Sequence, residues 1–397
     1  MKAFNHYHHS KFYSLVHSDF WKFELSVWFH TIGYSIISIF IPILMLVAGY
    51  SLTTVMIYCA MFFLLDTPLN FLAKRLVIYF GARLVIILGT LAIILFFALF
   101  PYIRGGHFFI LFVLALLAAV YDSFYWVAHF YLFIESSEKL EEVGRNNGIL
   151  TSVRSFGGML GPAIGAGILI FTTESALLSF SIAFLTLSII PLLTLQHIKD
   201  KPVFKKTSYK EFFRELPEKK NFLTWFLYSI HLGANEVIWP IFIFSLFGTL
   251  KSIALVAVII SVSKIILSYA SGVSTPKNRE NLMRIGMVCI LCIWILRLAY
   301  PNDAFYYLSI LFIGFFGVLI EVPLDSSIFE RARLKGQSLN ASTFRNTIVM
   351  FPQGILFAVL ALLVGVFKVS FISATLSLII LLLVNQYILY FSRKNLT

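Results

Sequence analysis

Eight ionisable side chains lie inside long apolar runs of this sequence. Five are acids and three are histidines: Asp66, Asp122, Glu236, Glu321, Asp325, His30, His129 and His231. Charged groups are costly in such surroundings, and those that are present usually face water or a partner. Because carboxyl and imidazole groups take up and release protons, these residues predict proton transfer or the binding of a charged group.

The apolar runs that hold these residues dominate the composition. Of 397 residues, 59% are hydrophobic, 17% are aromatic and 13% are charged, which is about half the usual share of charge. So few charged residues could not cover the surface of a water-soluble domain of this size. The composition excludes a soluble enzyme, a nucleic-acid-binding module and a disordered chain, and it predicts a polytopic membrane protein.

Twelve runs are long enough to cross a bilayer, since a spanning helix needs roughly 20 apolar residues. They cover residues 24–47, 52–72, 84–103, 107–134, 147–171, 176–196, 222–247, 252–272, 285–300, 304–329, 342–365 and 369–392. The runs are apolar on every face, which favours helices over the alternating strands of a barrel. We therefore predict an all-α polytopic membrane protein with twelve transmembrane helices.

Lys and Arg residues are distributed unevenly between the loops. Of 31 such residues, 24 lie in the two tails and the loops after even-numbered spans, whereas three lie in the loops after odd-numbered spans. Because Lys and Arg collect on the cytoplasmic side, we predict a multi-pass protein of the cell (inner) membrane with both termini cytoplasmic. The net charge of +12 then needs no nucleic acid, and the anionic inner leaflet is the expected lipid partner.

The longest hydrophilic loop, residues 197–221, divides the chain into an N-terminal half (1–196) and a C-terminal half (222–397) of six spans each. The halves resemble each other in the positions of three residue pairs, which are His30 and His231, Pro42 and Pro240, and Arg154 and Arg345. These matches predict an internal six-span duplication, as in many secondary transporters.

Two motifs are of structural interest. In GGMLGPAIGAG of span 5, Gly157, Gly161 and Gly165 form a smooth stripe that lets another helix approach closely, and Pro162 bends the helix. In the loop between spans 2 and 3, LAKRLVIYFGARLVIILG, three cations surround a glycine turn and form a compact basic hinge. These residues are Lys74, Arg75, Gly81 and Arg83. The rule that places positive charges inside explains the cations equally well.

Taken together with these motifs, nearly the whole chain resembles the major facilitator superfamily. The basic loop and the span-5 motif look like motifs of that family, and YDSFYWVAHFYLF and VPLDSSIFERAR look like stretches of its bacterial members. The chain departs from the pattern at Lys74, where an acid is usual, and in span 4, which lacks the arginine of proton-driven drug exporters. The resemblance implies the major facilitator fold and leaves the subfamily unassigned.

In that superfamily, spans 1, 4, 7 and 10 line the central cavity, and seven of the eight acids and histidines that lie inside the apolar runs fall in those spans, Asp66 being the exception. The resemblance and the cost of charge together predict residues for substrate binding or coupling, which are Asp122, Trp126, His129, Asn235, Glu236, Trp239, Lys264, Glu321 and Asp325. The expected gating residues are Lys74, Arg75, Gly81, Arg83, Arg154 and Arg345. We expect Arg154 and Arg345 to pair with acids such as Glu135 and Glu330, and Arg297 to extend toward the outer interface.

The expected function is secondary active transport of a small organic solute by alternating access, with export favoured over uptake by the span-5 motif. An ion gradient is the expected energy source, since the sequence has no G-x-x-x-x-G-K-[ST] loop for ATP. Protons are the expected coupling ion, because carboxylates and histidines dominate the residues expected in the cavity. We expect a monomer without cofactor or metal. Two alternatives stay open: a membrane-embedded enzyme with Asp122 and Glu236 as its catalytic pair, and a sensor or lipid-moving protein on the same fold.

Overall fold

The computed structural model describes residues 19–103, 107–136, 143–195, 216–249, 256, 259 and 279–394. Within these ranges the chain is helical and contains no strand, so the all-α prediction is confirmed. The helices are α1 (Asp19–Ser35), α2 (Ile41–Val47), α3 (Leu52–Phe80), α4 (Ala82–Leu99), α5 (Phe108–Ser136), α6 (Val143–Phe171), α7 (Glu174–Leu193), α8 (Leu216–Gly233), α9 (Trp239–Phe247), α10 (Arg279–Ala299), α11 (Asp303–Leu334), α12 (Ser338–Leu362) and α13 (Val366–Lys394).

Ten helical segments of the described residues are long and apolar enough to cross a membrane. Two of these segments are interrupted helices: α1 and α2 form Trp21–Val47, and α8 and α9 form Lys219–Phe247. Helix α6 fills the predicted fifth run with 29 residues. The predicted eighth run, 252–272, and most of the 197–221 loop lie outside the described residues, so twelve spans in two halves stay a prediction.

Proline explains both interruptions. A 3₁₀ turn over Ser38–Phe40 precedes α2, and a π-helical turn over Ala234–Ile238 precedes α9. Pro42 and Pro240 occupy the first turn of α2 and of α9, where a residue without a backbone N–H is tolerated. Each proline also removes a donor from the helix before it, so the regular hydrogen bonding changes there.

Two groups of helices meet along a common boundary. Among the earlier helices, α1 packs on α6 and α7, and α4 packs on α5; among the later ones, α8 packs on α12 and α13. The groups meet where α12 lies along α3 and α5, and where α6 lies against α11. This boundary positions the site described next.

Candidate functional site

A cavity of about 490 Å³ lies between the earlier and the later helices. Its wall contains four acids and two arginines, which are Asp122, Glu236, Glu321, Asp325, Arg154 and Arg345. It reaches from Phe130 and Asn346 at one end to Pro42 and Pro240 at the other. Trp126 lines the same cavity, so the structure brings together seven of the residues that the sequence predicts for binding, coupling or gating.

The cavity is closed at the end of the bundle where α5 ends and α12 begins. There the Ser338 hydroxyl donates to Glu135 Oε1 at 2.7 Å. The ring of Phe329 on α11 packs on Phe130 and Phe133 of α5, with centroids 5.4 and 5.7 Å apart. These contacts join earlier and later helices, so this end opens when the two groups separate.

Arg345 is neutralised inside the cavity wall. Its Nε and Nη2 donate to the two oxygens of Asp325, each at 3.1 Å, and its guanidinium lies over the rings of Phe130 and Trp225 at 4.6 and 4.4 Å. Paired hydrogen bonds of this kind are the strong form of an Arg–carboxylate contact. The partner of Arg345 is therefore an acid one span away, on α11.

The expected pairing of the two arginines with Glu135 or Glu330 is wrong. Glu135 accepts the Ser338 hydroxyl, and Glu330 accepts two hydrogen bonds from Arg279 at 2.9 and 3.0 Å. Both acids lie at helix ends, where a local partner is within reach. An arginine inside the bundle instead meets the groups at its own depth.

Arg154 stacks on an aromatic ring and leaves its hydrogen-bonding groups available. Its guanidinium lies 4.3 Å from the centroid of Trp126, and within the described residues it makes no hydrogen bond or ion pair. The face of a guanidinium on an indole is favourable, and its N–H edge remains suited to a planar anionic group. Arg154 therefore contributes a positive charge to the cavity, whereas the charge of Arg345 is balanced by Asp325.

Acidic groups from the later helices lie in the same cavity. Glu236 belongs to the π-helical turn, a rare irregularity that occurs mostly at functional sites. Glu321 accepts a hydrogen bond from the Tyr228 hydroxyl at 3.2 Å. Together with Arg154 on the earlier helices, these acids give the cavity charges of both signs on its two sides.

Three predicted binding residues lie behind the cavity wall. His129, Asn235 and Trp239 are buried and do not line the cavity. Trp239 carries the Arg297 guanidinium on its face at 3.4 Å, and Asn235 accepts a hydrogen bond from Arg297 at 3.2 Å. Lys264 lies outside the described residues.

Arg297 does not extend to the interface, so that prediction is wrong. It is 3% exposed, lies between the indoles of Trp239 and Trp294, and donates to Ser309 Oγ at 2.8 Å. Aromatic faces and hydrogen bonds offset the cost of burying the charge.

The four basic-loop residues occupy different surroundings. Lys74 reaches the later helices, with Nζ 5.6 Å from the centroid of Phe344 on α12. Arg83 donates to the Leu195 carbonyl at the end of α7, and Arg75 is exposed. Gly81 has a φ of +92° in the turn between α3 and α4, a conformation that favours glycine. Lys74 is thus the member of this set that the structure places at the boundary.

The span-5 glycines lie against the first span. A Cβ on Gly161 would lie 2.8 Å from the Ile36 nitrogen, and one on Gly157 would lie 3.0 Å from Thr31 Cβ. Gly165 faces Ile36 in the same way, and Pro162 lines the cavity. Side chains at these glycines would push α6 away from α1.

A hydrogen-bonded network that the sequence inventory missed crosses the boundary between α3, α5 and α12. Asn70 Nδ2 donates to Asp66 Oδ2 at 2.6 Å, and Asn346 Nδ2 donates to Asn70 Oδ1 at 2.9 Å and to Asp122 Oδ2 at 3.2 Å. An inventory of ionisable groups overlooks amides. The available signal was the spacing of Asp66 and Asn70, four residues apart on one helix face.

Comparisons with known proteins agree with this architecture. The family model of the Major Facilitator Superfamily matches residues 24–352. No curated protein sequence matches the chain. Three solved structures share the fold: the human organic anion transporter MFSD10 (TETRAN), a bacterial homologue of the iron transporter ferroportin in an outward-facing state, and the transporter FucP in an outward conformation.

The identities to these structures are low and the coverage is high. MFSD10 gives a TM-score of 0.69 at 12% identity, and the ferroportin homologue gives 0.71 at 14%; each covers 92% of this chain and 98% of the other. FucP gives 0.64 at 12% identity and covers 93% and 98%. The chain therefore belongs to the Major Facilitator Superfamily and is a multi-pass membrane protein of that family of transporters.

Proposed function

We propose that this protein is a secondary active transporter that moves a small polar organic solute by alternating access, coupled to protons, with export favoured over uptake. The observation that carries the proposal is the cavity between the two groups of helices, which is closed at one end and lined by charges of both signs. A site reached from one side at a time is the requirement of alternating access.

The charges of the cavity favour a zwitterionic or polar solute. Asp325 and Arg345 satisfy each other, so they contribute little net field. Arg154 presents its N–H edge to an anionic group, and Glu236 and Glu321 of the later helices bring negative charge to the same cavity for a cationic one. Trp126 adds a flat aromatic face beside Arg154.

The closed end indicates where this structure lies in the transport cycle. Under the predicted orientation, the end held by Ser338 and Glu135 faces the cytoplasm, and the cavity belongs to an outward-facing or occluded state. Transport then requires the contacts of α5 with α11 and α12 to break. Exporters release the solute from the state seen here and collect it in the opposite one.

Coupling to protons is assigned to acids within the cavity. Asp122 and Glu236 both line the cavity, on α5 and in the π-helical turn, and thus face the solute from opposite sides. An acid that is protonated in one state and ionised in the other links proton movement to the exchange of states.

The test combines ligand screening with flux measurements. Purified protein is screened by thermal shift against sugars, amino acids, peptides and drugs, and flux of the stabilising solute is measured in proteoliposomes with and without a pH difference. We expect flux driven by the pH difference in the parent protein. Asp122→Asn or Glu236→Gln should abolish that response and preserve solute-for-solute exchange, whereas Asp303→Asn, at an exposed position, should leave both unchanged.

Each outcome distinguishes a part of the proposal. A solute that binds but never crosses the bilayer contradicts transport and favours a sensor. If flux occurs and both acid variants still follow the pH difference, these acids do not carry the proton.

A further inference from the structure

The network at the boundary of α3, α5 and α12 has more acceptors than donors. Asn346 uses both N–H groups of its amide on Asn70 and Asp122, and Asn70 donates to Asp66. The buried Oδ1 atoms of Asp66 and Asn346 have no donor among the described residues. Buried acceptors are almost always satisfied, so the network lacks a hydrogen for each of these two oxygens.

The two carboxyl groups of the network touch each other. Asp66 on α3 is fully buried, Asp122 on α5 is 6% exposed, and their side chains are in hydrogen-bonding contact. Two ionised carboxylates in hydrogen-bonding contact repel each other strongly in surroundings of low dielectric constant. One proton held between them removes the repulsion and supplies one of the two missing donors.

No cation of the described residues neutralises the pair directly. The charged or titratable side chains near Asp122 are Tyr121 on its own helix and, from the surrounding helices, Tyr34, Arg154 and Arg345. Arg345 is engaged by Asp325, and Arg154 stacks on Trp126. The two arginines therefore act on the pair at a distance, and a proton is the remaining means of balancing its charge locally.

We propose that Asp66 and Asp122 form a proton-binding site that Asn346, from the later helices, holds closed. The proposal rests on the transport function above and names the site of its coupling ion. When α12 moves away from α3 and α5, Asp122 loses its hydrogen bond from Asn346 and Asn70 loses the other one. The pair then meets water, and the shared proton passes to that water. In the closed state the pair takes the proton up again from the cavity, since Asp122 lines it.

The test needs no solute. Infrared difference spectra of the purified protein in lipid, recorded between acidic and alkaline pH, should show a protonated-carboxyl C=O band. Asp66→Asn should lose this band, because an amide replaces one acid of the pair. Asp122→Asn, as a second variant, should lose the same band. The control Asp303→Asn removes an exposed acid at the start of α11 and should keep it.

A distance measurement tests the link to the closed end. Spin labels are attached to cysteines introduced by Tyr79→Cys and Leu334→Cys, at positions that are 70% and 68% exposed. They report the separation of α3 and α11 at that end. All proteins carry Cys59→Ala, Cys289→Ala and Cys292→Ala, so that the labels react at the chosen sites. We expect the distance between the two labels to increase in the parent as pH rises, because the closed end opens. In Asp66→Asn the distribution of distances should be the same at every pH.

These results test the proton-binding site of Asp66 and Asp122, and they do not depend on a measurement of transport. Loss of the band together with loss of the pH response supports the shared-proton site, even if no transported solute is found. A band that persists in both variants overturns the proposal. So does an Asp66→Asn protein that loses the band but still opens with pH as the parent does.

Discussion

At the scale of single residues, Arg297 shows how a charge is kept inside the bundle without a carboxylate. The described structure gives it two indole faces, Trp239 and Trp294, and hydrogen bonds to Asn235 and Ser309. Asn235 lies in the π-helical turn that also carries Glu236, and Trp239 directly follows that turn. Arg297 thus supports from behind the segment that presents Glu236 to the cavity.

Replacing Arg297 should therefore weaken the fold. Arg297→Met leaves Asn235 Oδ1 without this donor, whereas Ser309 Oγ keeps its hydrogen bond to the Tyr306 carbonyl. An unsatisfied buried group costs about 1–3 kcal/mol, and we expect a loss of that size, seen as a lower unfolding midpoint of the purified protein in detergent. Arg284→Met, at an exposed position of the same helix, is the matched control. Equal midpoints for the two variants would contradict a supporting role for Arg297.

The sequence predicted which acids face the cavity better than it predicted their partners. Asp122, Glu236 and Glu321 stand out because a charge in an apolar run needs a reason. The partners of Asp122 and Arg345 come from other spans, and nothing local in the sequence indicates which residue at the same depth will meet them. Asn346 is an example: it is a neutral amide whose importance arises from its contacts across the boundary, with Asn70 on α3 and Asp122 on α5.

At the scale of helices, the close approach of α6 to α1 depends on the absence of side chains at the glycine stripe. The Ser35 hydroxyl donates to the Gly157 carbonyl at 3.1 Å, so the helices are also joined by a hydrogen bond. Such small-residue contacts allow van der Waals packing that lipid cannot replace. Because α6 also contacts α11, this packing fixes one wall of the cavity.

A bulky residue on the stripe should stop transport without preventing insertion. In Gly161→Leu, the added Cβ would lie 2.8 Å from the Ile36 nitrogen, so α6 must shift away from α1. We expect the flux in proteoliposomes to fall to background. Gly167→Leu is the control, because a Cβ there meets nothing within 4 Å. Unchanged flux in Gly161→Leu would show that the contact is dispensable.

Helix positions were largely predictable, and helix irregularities were not. Apolar runs of about 20 residues identify spans because the bilayer sets their length. The predicted ends differ by several residues where polar segments continue the helix, as at α10, which begins at Arg279 rather than at residue 285. Pro240 marks where the helix is interrupted, but the π-helical turn before it also contacts α13 and accepts a hydrogen bond from Arg297 on α10 through Asn235, and local sequence does not indicate the type of turn.

At the scale of the whole molecule, the cavity and its closed end give the protein two distinct sides. Ser338 begins α12 at the closed end, and Val364 follows the same helix at the opposite end. A helix of 25 residues is about 37 Å long, so the two positions lie on opposite sides of a bilayer. The distribution of Lys and Arg predicts that the side where α12 begins is cytoplasmic. The closed end is therefore predicted to face the cytoplasm.

Cysteine labelling in intact cells tests this orientation. Val364 is 99% exposed and Leu334 is 68% exposed, so cysteines there are accessible to a reagent present on their side of the membrane. In a protein without the three native cysteines, Val364→Cys should react with an impermeant thiol reagent added outside, and Leu334→Cys should react after the cells are opened. Ser208→Cys, in the predicted cytoplasmic loop outside the described residues, should behave like Leu334→Cys. The opposite pattern at all three positions would reverse the topology, place the closed end outside and make the state seen here inward-facing, with the shared proton then released to the exterior.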